Sequence, residues 1–448
     1  MRYDLILKNA VIVTPKESFE GDIAVSNGKI VKTGGVEPSD TAEEIFDAAF
    51  LHILPGIIDA HVHFRDPGLT EKEDFQTGSA AAAFGGVTFA ADMPNVFPVT
   101  STVERFTEKA RIASEKSYID YGIFALLAND NIGEIEGLCK AGALGFKIFL
   151  GTSTGDVAPP QAGVLLEALE KTAGAGRRVG FHCENSEINS HFTQICKKMT
   201  GCKDGQLLAR ARPVISEALA IQNAITYAKY TGAKIHIHHV TSADGASLAQ
   251  YAKNNGINLT AETCPHYLLL NADAEKAVRV YPPIRDEVHR KGLWEALKSG
   301  VIDMIASDHA PHSAAEKALP LWETPAGISG VETQARLMLN EVNKGNLSLN
   351  DYARMASEAT AKIWDIYPRK GSMLAGTDAD FTVVDMKKKG VIRIDELHSK
   401  SKTCVYDGIE TQGIPIATIV RGKFIVRDGE LTGAKGGGVL ISPQPLQN

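Results

Sequence analysis

Six side chains, far apart along the chain, have the types that a hydrolytic metal centre uses: His61, His63, Lys147, His182, His239 and Asp308. His61 and His63 lie in Asp59-Ala60-His61-Val62-His63-Phe64-Arg65-Asp66-Pro67-Gly68. Alternate residues of a strand point the same way, so both imidazoles can reach one ion. Neutral imidazole suits zinc, and a nearby carboxylate can orient it. Lys147 sits inside the apolar run Gly145-Phe146-Lys147-Ile148-Phe149-Leu150. A charged ammonium is costly to bury there. Carbon dioxide added to the neutral amine gives a carbamate, an anionic two-oxygen ligand able to bridge two metals. His182 closes the run Val179–Cys183, and His236-Ile237-His238-His239 closes another. His239, latest on its strand, is the preferred ligand; His238 is the alternative and His236 a structural residue. Asp308 follows the apolar run Ile302–Ser307, where a general acid/base would reach the mouth of a site.

Something must bring these positions together. Short apolar runs at Ile53–Asp59, Val87–Asp92, Ile119–Ala125, Leu144–Leu150, Val179–Cys183, Lys234–Val240, Ile257–Glu262 and Ile302–Ser307 read as eight strands. Helical stretches such as Glu71–Phe84, Gln161–Ala173, Ser216–Tyr230, Ser242–Asn254 and Glu287–Lys298 fall between them. This alternation predicts a (β/α)₈ TIM-like barrel, which puts reactive residues at the C-terminal strand ends. No GxGxxG follows the first strand to support a doubly wound open sheet. Both chain ends instead carry hairpin-like strands, with Asn27-Gly28 at one turn and Arg421-Gly422-Lys423 at another. Neither end has enough strands for its own core. The expected organisation is a small flanking β-sandwich domain built from residues 1–50 plus 368–448, around a barrel of residues 51–367.

With 448 residues, 44% apolar and 23% charged, the chain has the composition of a soluble globular enzyme. A net charge of −7 argues against nucleic-acid binding, which favours a basic face. No apolar stretch is long enough to span a membrane, and the N-terminus lacks a secretory h-region. The six cysteines form no CxxC pair, as expected of reduced thiols in a cytoplasmic protein.

The run Pro55-Gly56-Ile57-Ile58-Asp59-Ala60-His61-Val62-His63-Phe64-Arg65-Asp66-Pro67-Gly68 closely resembles the first-strand motif of dihydroorotases, within the amidohydrolase superfamily. Asp92-Met93-Pro94-Asn95, Glu262-Thr263-Cys264-Pro265-His266-Tyr267, Pro282-Pro283-Ile284-Arg285, Ser307-Asp308-His309-Ala310-Pro311-His312 and Gly327–Thr333 continue the match in order. The resemblance implies two zinc ions per chain: His61, His63 and Asp308 on one, His182 and His239 on the other, and N6-carboxylated Lys147 bridging them. It implies reversible hydrolysis of (S)-dihydroorotate to N-carbamoyl-L-aspartate in de novo pyrimidine biosynthesis. A metal-bridging hydroxide would attack, and Asp308 would serve as acid and base. Arg65, Asn95 and His312 would grip the substrate carboxylate, Gly151–Gly155 would lie in a loop over it, and the protein would be a homo-oligomer, a dimer or tetramer.

Two features depart from that pattern. Many bacterial dihydroorotases of this length carry aspartate where this chain has Lys147, a lysine otherwise like that of hydantoinases and allantoinases. Tyr281 stands where dihydroorotases often have asparagine. Allantoinase or hydantoinase/dihydropyrimidinase activity is therefore the alternative, and a non-catalytic scaffold on the same fold a remote one.

Overall fold

The computed structural model describes residues 1–151, 158–274 and 278–444. Eight parallel strands follow one another in chain order: β1 (Ile57–Val62), β2 (Val87–Asp92), β3 (Asp120–Leu126), β4 (Gly145–Phe149), β5 (Val179–His182), β6 (Ile235–Ile237), β7 (Leu259–Thr263) and β8 (Met304–Ile305). The circle closes where His63 N–H donates to His309 O at 2.7 Å and Val62 bridges His309 in parallel. Strand parity sorts side chains into two layers. Phe146 and Ile148, Val179 and Phe181, and Ile235 and Ile237 face outward onto the helices. Their neighbours Lys147, His182 and His236 therefore face the barrel axis.

β1 switches phase. Ile58 and Ala60 face inward, whereas Val62 and Phe64 join the outer core. A register shift between Asp59 and Val62 against β2 accounts for the change. It turns His61 and His63 toward the axis.

The helices expected between strands are present with shifted ends. Phe75–Phe84 starts after Asp74, whose side chain caps it by accepting from Thr77 N–H. Val214–Thr231 is longer than expected, and Glu287–Lys298 matches. Val103–Lys116, Ser186–Cys196 and Asp204–Ala211 are additional helices.

The expected first strand, Ile53–Asp59, is divided between two sheets. His52–Pro55 pairs in parallel with Arg2–Val13 and antiparallel with Phe381–Val391, so it is the seam between the two chain ends. Gly56 marks the crossover, where an added Cβ would lie 2.2 Å from Thr88 Oγ1. The resulting mixed sheet holds nine strands and its own apolar core. It curls until Phe46 and Phe424 touch, with ring centroids 5.4 Å apart. Asn27 and Gly28 have φ of 52° and 70°, as the expected hairpin turn requires.

The end of the chain leaves this sheet. Tyr121 N–H donates to Val439 O and Ile441 N–H to Tyr121 O. Ile441 is fully buried with Ile58, Phe89, Phe124, Leu144 and Trp364, forming the barrel floor. Nearby, the Lys370 ammonium binds Asp120 at 2.5 Å, Asp380 at 2.6 Å and Asp378 at 3.0 Å. That cluster ties β3 to the terminal sheet.

Candidate metal centre

All six expected ligands meet at the C-terminal end of the barrel. His61, His63, Lys147, His182, His239 and Asp308 line one cavity together with Arg65, Asn95, Phe149 and Tyr281. His61 Nε2 and His63 Nε2 lie 3.4 and 3.3 Å from Asp308 Oδ1, and the three residues form a compact ligand group. His182 Nδ1 is 3.0 Å from His239 Nε2.

Backbone strain marks three of the site residues. Arg65, His239 and Asp308 have φ of 62°, 39° and 47°. Left-handed backbone is costly for such side chains, and it is found where a site demands it. At His239 it decides which way the side chain points. Ile235 and Ile237 face outward, so an unbroken strand would point His239 outward too. The left-handed turn reverses that and sends its imidazole to His182. His238 stays below, where its Nδ1 is 2.9 Å from Glu262 and its Nε2 abuts Gly180.

Burial sets the electrostatics. It pushes the His61, His63 and His239 imidazoles well below their usual range, leaving neutral rings with lone pairs for a metal. Burial raises the Asp308 carboxyl. Lys147 is fully buried, its Nζ has no hydrogen-bond partner among the described residues, and burial lowers its pKa to about 8. An orphaned amine amid four imidazoles and a carboxylate fits a bridging carbamate better than a resident ammonium, which would repel both ions.

Arg65 is 2% exposed, and burial lowers its guanidinium to about 10. Its Nε donates to Pro311 O at 3.3 Å. Among the described residues, no carboxylate lies within ion-pair distance of it. Asn95 lies beside His63 on the wall of the same cavity. His312 sits behind Arg65 instead of on the cavity wall. Its Nε2 is 2.9 Å from Ala326 O and so carries the proton, making the 3.4 Å approach of Arg65 a packing contact. Of the Gly151–Gly155 loop, Thr152-Ser153-Thr154-Gly155 lie outside the described residues.

The amidohydrolase family model matches residues 52–425. The chain belongs to the amidohydrolase family. An allantoinase from Deinococcus radiodurans is 35% identical over all of both chains, and a dihydroorotase from Methanothermobacter thermautotrophicus is 34% identical over 97% of this chain and 96% of its own. Among solved structures, an L-hydantoinase (dihydropyrimidinase) from Arthrobacter aurescens superposes with a TM-score of 0.95, at 31% identity, covering 98% of this chain and 100% of that one. These relatives support cyclic amidohydrolase activity in this amidohydrolase, together with a binuclear metal site of the kind typical of the family. Among the described residues, no helix of this amidohydrolase is long and apolar enough to cross a membrane.

Two buried carboxylates escaped the sequence reading. Glu262, on β7, contacts His61 Nδ1, His236 Nε2 at 3.0 Å and His238 Nδ1 at 2.9 Å. With Nδ1–H donating to Glu262, that ring's Nε2 lone pair faces Asp308. Glu184 accepts from His182 Nε2 at 2.9 Å and from Arg212 Nε at 2.8 Å. Burial alone would raise Glu184, but Arg212 and His182 bring it down to about 2. Glu184 directly follows His182-Cys183, so its proximity was the available signal; Glu262 is 201 residues from His61 and gave none.

Proposed function

We propose that the protein is a dihydroorotase, interconverting dihydroorotate and N-carbamoyl-L-aspartate. The observation that carries this reading is Arg65: a buried guanidinium on the cavity wall with no carboxylate partner among the described residues. A desolvated cation of this kind suits a substrate that brings its own carboxylate, which a guanidinium can bind through two parallel hydrogen bonds. Allantoin and unsubstituted hydantoin have no carboxylate to offer. Arg65 and Asn95 would hold that group, with His312 bracing Arg65 from behind.

His61, His63 and Asp308 would hold one ion, and His182 and His239 a second. Lys147, carboxylated on Nζ, would bridge them. Bound there, two divalent ions (zinc, from the ligand types) would supply Lewis acidity to the ring carbonyl and acidify water near neutral pH. Asp308 turns Oδ1 toward both imidazoles, leaving Oδ2 to take a proton from the attacking water and deliver it to the departing ring nitrogen. Ring closure reverses that transfer. Glu262 and Glu184 keep the His61 and His182 rings in their tautomers throughout.

Allantoin or hydantoin opening is the second reading, favoured by the relatives of those names and by Tyr281 on the cavity wall. Turnover of dihydroorotate, carbamoyl aspartate, allantoin and hydantoin by one metal-loaded preparation separates the two. The dihydroorotase reading expects kcat/KM for dihydroorotate to exceed that for the uncharged rings by at least a hundredfold. Preference for allantoin or hydantoin overturns it.

A further inference from the structure

Each half of the centre has a carboxylate behind one of its imidazoles, but their surroundings differ. Glu262 is enclosed among histidines at the barrel axis. Glu184 is wired outward. Its Oε1 accepts from Arg212 Nε at 2.8 Å and from Asn189 Nδ2 at 3.3 Å, and its Oε2 contacts Arg212 Nη2 as well as His182 Nε2. The same Arg212 guanidinium lies flat on the Tyr281 ring, 3.5 Å from its centroid. Tyr281 lines the substrate cavity, and its hydroxyl accepts from Arg279 Nη2 at 2.7 Å. Arg212 is itself pinned, because its carbonyl accepts from the buried Arg285. One guanidinium therefore touches the support of a metal ligand through its edge and a wall of the substrate cavity through its face.

We propose that Arg212 is a positioning residue with two separable outputs. Through its edge it holds Glu184 against His182 Nε2, which presents Nδ1 of that ring to the second ion. Through its face it holds Tyr281 upright as a specificity-determining wall against the substrate ring. The physical basis is the shape of the guanidinium, whose planar fork matches a carboxylate while its π-face stacks on an aromatic ring. An ammonium is a point charge, which can pair with the carboxylate but cannot at the same time lay a planar face on the ring. The relay also makes chemical sense as coupling: displacement of Tyr281 by a misfitting ring would pull on the support of His182.

This inference rests on the metal-centre reading above but not on the choice of dihydroorotate, so it is tested with whichever cyclic substrate the protein turns over. Two quantities are read: affinity for the second ion, by titrating metal-free protein with zinc alone against a chelator, and KM. Arg212→Lys keeps a cation beside buried Glu184 and should fold. It is expected to bind both ions within about twofold of wild type while KM rises about three- to tenfold, the loss of one stacking contact. Tyr281→Leu should show the same pattern. Glu184→Gln should weaken one ion of the two by about ten- to a hundredfold, the usual effect of removing an outer partner of a metal-bound histidine. The first ion should be unaffected. An unchanged KM in both Arg212→Lys and Tyr281→Leu overturns the wall, and equal weakening of both ions in Glu184→Gln overturns the edge. Wild-type protein that takes up no zinc removes the centre and the relay together. Failure to turn over dihydroorotate alone leaves the relay standing.

Discussion

Replacing Arg65 by methionine isolates the carboxylate argument. The side chains are similar in length, and among the described residues Arg65 donates from Nε to Pro311 O at 3.3 Å and rests Nη2 against His312 Nε2 at 3.4 Å. Its two terminal nitrogens are left for a substrate carboxylate. Two charge-assisted hydrogen bonds at about 1.5–3 kcal/mol each make about 3–6 kcal/mol. At about 1.4 kcal/mol per tenfold, kcat/KM for dihydroorotate should fall about a hundredfold to ten-thousandfold. Stability should move the other way. Removing a desolvated cation that lacks a carboxylate partner leaves no buried charge stranded, so Tm should hold or rise. The assay is ring opening of dihydroorotate over a range of concentrations, with zinc content and thermal unfolding measured on the same preparation. A loss below about fivefold, or a loss accompanied by missing metal, refutes the assignment of Arg65 to the substrate.

Two further outcomes test other parts of the molecule. Lys147→Ala should abolish activity and lower zinc content, with partial recovery when a short carboxylic acid is added to replace the bridging oxygens; undiminished turnover rules out the bridge. Lys370→Met strands Asp380 in the interior and takes one cation each from Asp120 and Asp378, and should cost about 3–5 kcal/mol, read as a lower denaturation midpoint. The same cluster sets an acid limit. Burial would raise Asp378, but Lys370 and Lys29 pull it down to about 2, below the unfolded value of about 4. Its contribution is therefore complete above about pH 4 and drains away as pH falls toward 2. Acid unfolding of wild type should steepen in that window, and Lys370→Met should blunt the slope; identical acid profiles refute it.

The barrel was legible because its outward layer is written in alternating apolar residues. Phe146 and Ile148 flanking Lys147 suffice to aim that lysine inward. His61 and His63 were paired by spacing and do lie together, although their inward direction depends on a register shift that spacing does not encode. His239 was preferred for its late position, but its direction comes from a single left-handed residue that overrides strand parity. The division of the first apolar run at Gly56 was hidden for a related reason. Ile53–Pro55 and Ile57–Val62 are both buried, and only their strand partners tell them apart, one of them more than 300 residues away. Glu262 and Arg212 were invisible because their partners are set by the closed barrel, not by neighbours in the chain.

The seam at His52–Pro55 and the plug at Ile441 have a consequence for how the molecule is made. Arg2–Val13 belongs to a sheet that also needs Phe381–Val391, and the barrel floor needs Ile441, hundreds of residues further along. Contacts of such long sequence separation form late and slowly. Helices and neighbouring barrel strands can assemble from nearby residues first, but the floor waits for Ile441. Cutting out the segment that carries Val439 and Ile441 would therefore open the floor beneath the cavity while leaving the six candidate ligands on their strands.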